Sequence, residues 1–108
     1  MNAQYKKGVL ELCVLSLLTK GDHYGYAISD SLSRRIDIAD GTVYPILRKL
    51  KSDGLLTTYL QEESGGPPRK YYSLTALGRE VYAKDRAEYL SFAENVQKLL
   101  EDDAHDEN

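Results

Sequence analysis

Ser64-Gly65-Gly66-Pro67-Pro68 separates two segments in which apolar or β-branched residues alternate with polar ones. Its glycines admit positive φ and its prolines cannot donate to a strand ladder, so the run is neither helix nor strand interior. On one side Leu56, Thr58 and Leu60 alternate with Leu55, Thr57, Tyr59 and Gln61. On the other, Arg69 to Leu74 alternates through Tyr71 and Tyr72. Such period-2 patterns form strands, and the run between them is the tip of a hairpin that projects into solvent. Arg69 and Lys70 at its base can neutralise phosphate. A hairpin with an ordinary charged rim has the same composition.

Just upstream the period changes. Val43, Ile46, Leu47 and Leu50 recur at i, i+3, i+4 and i+7, which makes one apolar stripe of a short helix. At about 100° per residue, Arg48 projects nearly opposite that stripe. Tyr44 flanks Arg48 on one side, with Thr42, Pro45 and Lys49 on the other. Two cations, a hydroxyl, a phenol and a flat apolar ring suit the edges of bases in a major groove. Pro45 fits in two ways. Either Thr42 is the N-cap and Pro45 lies in the first turn, or the helix starts near Asp40 and bends at Pro45. Gly54 is a natural left-handed residue after the helix end. Helix, strand, turn, strand is the order of a recognition helix and wing in a winged helix-turn-helix.

The remainder serves this unit. Tyr5 to Thr19 reads as a helix that is apolar around most of its circumference, so it packs on its own domain and on a second surface. Lys20 to His23 is a connection, and a second helix runs from about Tyr24 to Arg34. Tyr24 and Tyr26 lie near its N-terminus, where backbone N–H groups favour phosphate. Thr75 is an N-cap for a long last helix. Within it Tyr82, Tyr89 and Val96 fall seven apart, as do Phe92 and Leu99. A helix to Asp102 is about 40 Å long at 1.5 Å per residue, too long for one small domain to cover. A second copy is the economical partner. The fold expected is mainly α with a two-stranded β-wing: a winged helix-turn-helix over residues 1–75, a C-terminal dimerisation helix over 76–102 and an acidic tail over 103–108.

Charge and composition limit the alternatives. The chain of 108 residues carries 14 basic and 17 acidic side chains, a net of −3, which at first argues against a nucleic-acid partner. Five of the acids fall in the last eight residues; without them the body has 14 basic against 12 acidic residues and is mildly basic. No apolar run approaches the roughly 20 residues of a membrane span, and the N-terminus lacks a cleavable signal pattern. The single cysteine, Cys13, sits among apolar residues and fits a reducing cytoplasm. His23 and His105 stand far apart, and no Cys/His spacing matches a metal site. No phosphate loop or nucleophile elbow is present, so the sequence predicts neither an enzyme nor a cofactor. The rival to DNA binding is a winged helix whose basic face meets an acidic protein.

Four pieces of the chain resemble the PadR family of bacterial transcription regulators, in its small form with one C-terminal helix. They are GVLELCVLSLL, HYGYAISDSL, GTVYPILRKLKSDGLL and GGPPRKYYSLTALGRE, in that order over about residues 8–80. The resemblance implies a homodimeric repressor on a pseudo-palindromic operator in double-stranded DNA. It carries DNA contact to Tyr24, Thr42, Tyr44, Pro45, Arg48 and Lys49, and in the wing to Gly66, Arg69 and Lys70. It implies a dimer interface of the last helix with the first, here Val9, Cys13, Tyr82, Tyr89, Phe92, Val96 and Leu99. Some members hold flat aromatic drugs or phenolic acids between subunits, against an aromatic residue of the last helix. Tyr89 stands at about that position, with Phe92 beside it, so the expected effector is small, flat and aromatic.

Overall fold

A computed structural model describes residues 3–39, 41–62 and 65–106, with side chains for 6–39, 41–62 and 65–102. In chain order the elements are α1 (Ala3–Leu18), β1 (His23–Tyr24), α2 (Gly25–Ser33), α3 (Val43–Ser52), β2 (Leu56–Gln61), β3 (Arg69–Leu74) and α4 (Ala76–Asp106). One core joins them. Leu10, Val14, Leu15 and Leu18 of α1 meet Ile28 and Leu32 of α2 and the full apolar stripe of α3, with Leu56, Tyr72 and Leu74 closing it from the sheet. Each such side chain contributes about 1.5–3 kcal/mol by leaving water, and α3 presents only its stripe to them. Its opposite face is therefore free.

The ends of α3 are fixed by local chemistry. Thr42 is the N-cap and Pro45 is the third helical residue, where the missing N–H costs no intrahelical bond. That decides between the two readings of Pro45. At the other end Gly54 has φ +80°. Its N–H donates to Lys51 and that of Leu55 donates to Leu50, at 3.0 Å each. This is the paired closure that needs a left-handed residue, and Leu55 then packs on the core it has just left.

The sheet has one strand more than the sequence suggests. Tyr24, expected to open the second helix, lies in β1, which pairs antiparallel with β3 through His23↔Tyr72 and Tyr24↔Tyr71. The order is β1-β3-β2. Backbone pairing and a tilted ring contact between Tyr24 and Tyr71, 5.7 Å between centroids, hold these residues extended, and the helix begins at Gly25. Across β2 and β3 the register places Tyr59 opposite Tyr71 and Gln61 opposite Arg69.

Thr75 caps α4 as expected. Its hydroxyl oxygen accepts from the Gly78 N–H at 2.9 Å and donates toward the carbonyls of Gly54 and Leu55, at 2.8 and 3.0 Å. The start of α4 is thus tied to the end of α3. The helix continues to Asp106, past the expected end at Asp102. Side chains of the acidic tail, and residues 107 and 108 altogether, lie outside the described residues. Among the described residues, no helix is long and apolar enough to cross a membrane.

Candidate nucleic-acid interface

Period 2 in β3 sends Tyr72 into the core and Arg69 and Tyr71 to the outer face of the sheet. There Tyr24, Tyr71 and Tyr59 form one row across three strands. Tyr59 and Tyr71 stack at 5.7 Å, and Tyr26 lies 6.4 Å from Tyr24 and nearly parallel to it. The Arg69 guanidinium covers the Tyr24 ring at 4.5 Å, an attraction worth about 0.5–1 kcal/mol at an exposed site. At the far end the Tyr59 hydroxyl donates to an Asp22 carboxylate oxygen at 2.7 Å. That hydrogen bond raises the phenol above its ordinary pKa, with small additions from burial and charge. The row fixes the wing base against the N-terminus of α2.

Helix α3 approaches this row at Tyr44. A hollow of about 540 Å³ is lined by Tyr24, Gly25, Tyr26, Tyr44, Arg69, Lys70 and Tyr72. A Cβ at Gly25 would lie 3.1 Å from the Tyr44 ring, so any larger residue there would require that ring to shift slightly. Four expected contact residues, Tyr24, Tyr44, Arg69 and Lys70, thus converge from three elements. Arg48 is exposed and has no ion-pair partner among the described residues. Thr42 and Pro45 line a separate groove on the other flank of α3. Gly66 is exposed at the hairpin tip next to Gly65, whose φ is +81°; Ser64 lies outside the described residues.

Lys49 is placed elsewhere. Its ammonium lies 3.0 Å from Asp53 and 3.3 Å from Glu11 of α1. The Asp53 hydrogen bond raises its pKa against the opposing desolvation, with Glu11 adding to the rise. The cation faces the junction of α1, α3 and α4 instead of the surface shared by Tyr44 and Arg69. Helical angle alone cannot reveal this, because a flexible stem swings the charge to the nearest carboxylate. Gly25, Asp22, Tyr59 and Tyr71 were not singled out as site residues. Strand register would have found the two tyrosines; the bond to Asp22, 37 residues away in the sequence, leaves no local trace.

The residues expected at a subunit interface divide into four settings. Val9, Tyr89 and Phe92 line a groove of about 520 Å³ between α1 and α4, with Leu12, Leu15 and Val81 at its base. Glu11, Asp53, Asp85, Glu88 and Lys49 rim it. Tyr82 packs against its own core, its hydroxyl donating to Ser16 at 3.2 Å. Cys13 is half-buried on another side of α1, beside Leu17, Leu32 and Ile36, and desolvation raises its thiol pKa. Val96 and Leu99 are exposed, as are Leu90 and Leu100. On an ideal helix Leu100 falls in line with Tyr82 and Tyr89. The exposed apolar surface of α4 therefore includes Leu90 and Leu100 besides the heptad positions.

Comparison with known proteins agrees with this architecture. A PadR family transcriptional regulator from Eggerthella lenta is 38% identical, covers 90% of this chain and 86% of its own, and superposes with a TM-score of 0.77. A PadR-like transcriptional regulator from Bacillus cereus is 32% identical over 91% of this chain and 97% of its own, with a TM-score of 0.81. The transcriptional regulator Rv3488 of Mycobacterium tuberculosis is 29% identical over 94 residues, 86% of this chain and 87% of its own. The profile of the transcriptional regulator PadR-like family matches residues 14–84, which include α2, α3, the whole sheet and the first turns of α4. The chain belongs to the PadR-like family of transcriptional regulators, a family of regulators and not of enzymes.

Proposed function

We propose that this protein is a cytoplasmic, homodimeric, sequence-specific repressor that a small flat aromatic effector releases from DNA. The observation that carries the DNA-binding part is the convergence of three elements on one surface. The free face of α3 with Tyr44, the N-terminus of α2 with Tyr24, and the wing base with Arg69 and Lys70 all border it, and Arg48 is exposed one turn further along that face of α3. In this reading residues 1–75 form the DNA-binding unit and 76–102 the dimerisation helix. Arg48 reads bases, while Tyr24, Arg69 and Lys70 hold phosphates and set the register. The effector stacks at Tyr89 and Phe92, on the groove between α1 and α4.

Selection of bound duplexes from a random pool, followed by a salt titration, tests the proposal. The expected yield is a pseudo-palindrome whose half-sites lie about one helical turn apart. Log affinity should fall steeply and linearly with log salt. A pool with no enriched sequence and a flat salt response would favour a winged helix that binds an acidic protein.

A further inference from the structure

We propose that Lys6 and Lys7, near the start of α1, form a second phosphate anchor on the flank of the recognition helix opposite the wing. The inference rests on the DNA-binding reading above and adds to it a contact on the other strand. Lys6 and Lys7 line a groove of about 450 Å³ together with Thr42 and Pro45 of α3. Both lysines are exposed, and neither has an ion-pair partner among the described residues. Seen down α3, Arg48 has Tyr44 on one side and Pro45 on the other. Tyr44 borders the hollow that holds Arg69 and Lys70; Pro45 borders the groove that holds Lys6 and Lys7. The free face of α3 is thus bracketed by a cation pair on each side.

That spacing fits a duplex. A helix with its side chains is about 10–12 Å across, and the major groove is about 12 Å wide between its phosphate walls. A helix seated there leaves one backbone near each flank. The wing pair serves one wall, and without Lys6 and Lys7 the other would face only Thr42, Pro45 and the connecting chain. Among the described residues Asp37 is the only carboxylate on this groove, and its charge opposes the anchor.

The test compares the full-length chain with a Lys6→Gln/Lys7→Gln variant on the selected operator and on random duplex over a range of salt. Each phosphate neutralised contributes about 0.9 to the log–log slope. The variant dimer should therefore be shallower by about 3.6, an effect that changes relative affinity on the order of 10²-fold across a fourfold change in salt. Operator and random DNA should weaken together, with unchanged melting of the protein. Lys6→Arg/Lys7→Arg should keep the slope, and Asp37→Asn should tighten both complexes. A variant that keeps a steep wild-type slope overturns the anchor alone. Selective loss of operator affinity overturns it as well, because it makes the lysines base readers. A wild-type chain with no steep slope removes the DNA-binding reading, and the anchor with it.

Discussion

A Cβ at Gly78 would collide with the carbonyl oxygen of Leu55 and lie 2.8 Å from a Leu74 methyl. Gly78→Ala gains about 1 kcal/mol of helix propensity, yet the collision is with backbone, which no side-chain rotation relieves. Overpacking of this kind costs about 1–3 kcal/mol, and here it pries α4 from the turn between α3 and β2 and from the end of β3. We expect a net loss of stability, visible as a lowered melting temperature; an unchanged or higher one would show that α4 shifts freely. Tyr59 allows a pH test. Its phenol pKa is raised in the folded chain by the Asp22 bond, so the folded state holds that proton more firmly than the unfolded one. The contribution is present in full below the ordinary phenol value and is lost as pH rises through the folded one. Tyr59→Phe should melt lower at neutral pH, and the gap should close in strong alkali. A gap that persists there would place the effect in packing. At this scale the sequence was legible where chemistry is local. Thr75 as a cap and Gly54 as a helix end could be read from their neighbours, whereas the Tyr59–Asp22 pair, 37 residues apart, could not.

Among the elements, α3 was the most legible, because its stripe of Val43, Ile46, Leu47 and Leu50 is buried to the last residue. β1 was not. Two residues are too few for a period, and the glycine that follows hides where the helix begins. The placement of α3 and β3 separates the outcomes expected at three cationic positions, Arg48, Arg69 and Lys49. Arg48→Ala should narrow the affinity gap between operator and random DNA by about 1–3 kcal/mol, the worth of one bidentate base contact. Arg69→Ala should weaken all sequences alike and lower the salt slope by about one per protomer. Arg69→Lys should restore only part of this, since an ammonium cannot reproduce the planar stacking on Tyr24. Lys49→Ala should change DNA affinity least, its charge being held by Glu11 and Asp53. Competition binding at two salt concentrations distinguishes these outcomes, provided that each variant melts as the wild type does. Arg48→Ala weakening both DNAs equally, with Arg69→Ala altering preference, would reverse the roles of helix and wing.

The whole molecule measures 63 × 28 × 21 Å, and its long dimension leaves α4 with an apolar flank that its own core does not cover. Phe92 and Leu99 are 59% and 62% exposed, so a Phe92→Glu/Leu99→Glu variant should fold normally as a single chain. Analytical ultracentrifugation should then find a monomer with weakened operator binding, against a wild-type dimer at micromolar concentration. A monomeric wild type would end the homodimer proposal. For the effector, Tyr89→Ala should remain dimeric and bind DNA but lose release by a flat aromatic ligand. Unchanged release would move the ligand away from this groove. Heptad spacing marked apolar positions along α4, but not which of them remain free, because Tyr82 turns inward to Ser16. The anchoring of α4 also has a mechanical side. Val81 and Tyr82 pack on the core, while the helix runs on to Asp106. A stiff rod clamped near one end turns angle into travel: a pivot of about 5° at Val81 sweeps the far end through about 3 Å at 1.5 Å per residue. In the proposed homodimer, two such rods that cross would act as callipers, so a slight wedge near the crossing would be enough to reset the distance between the jaws.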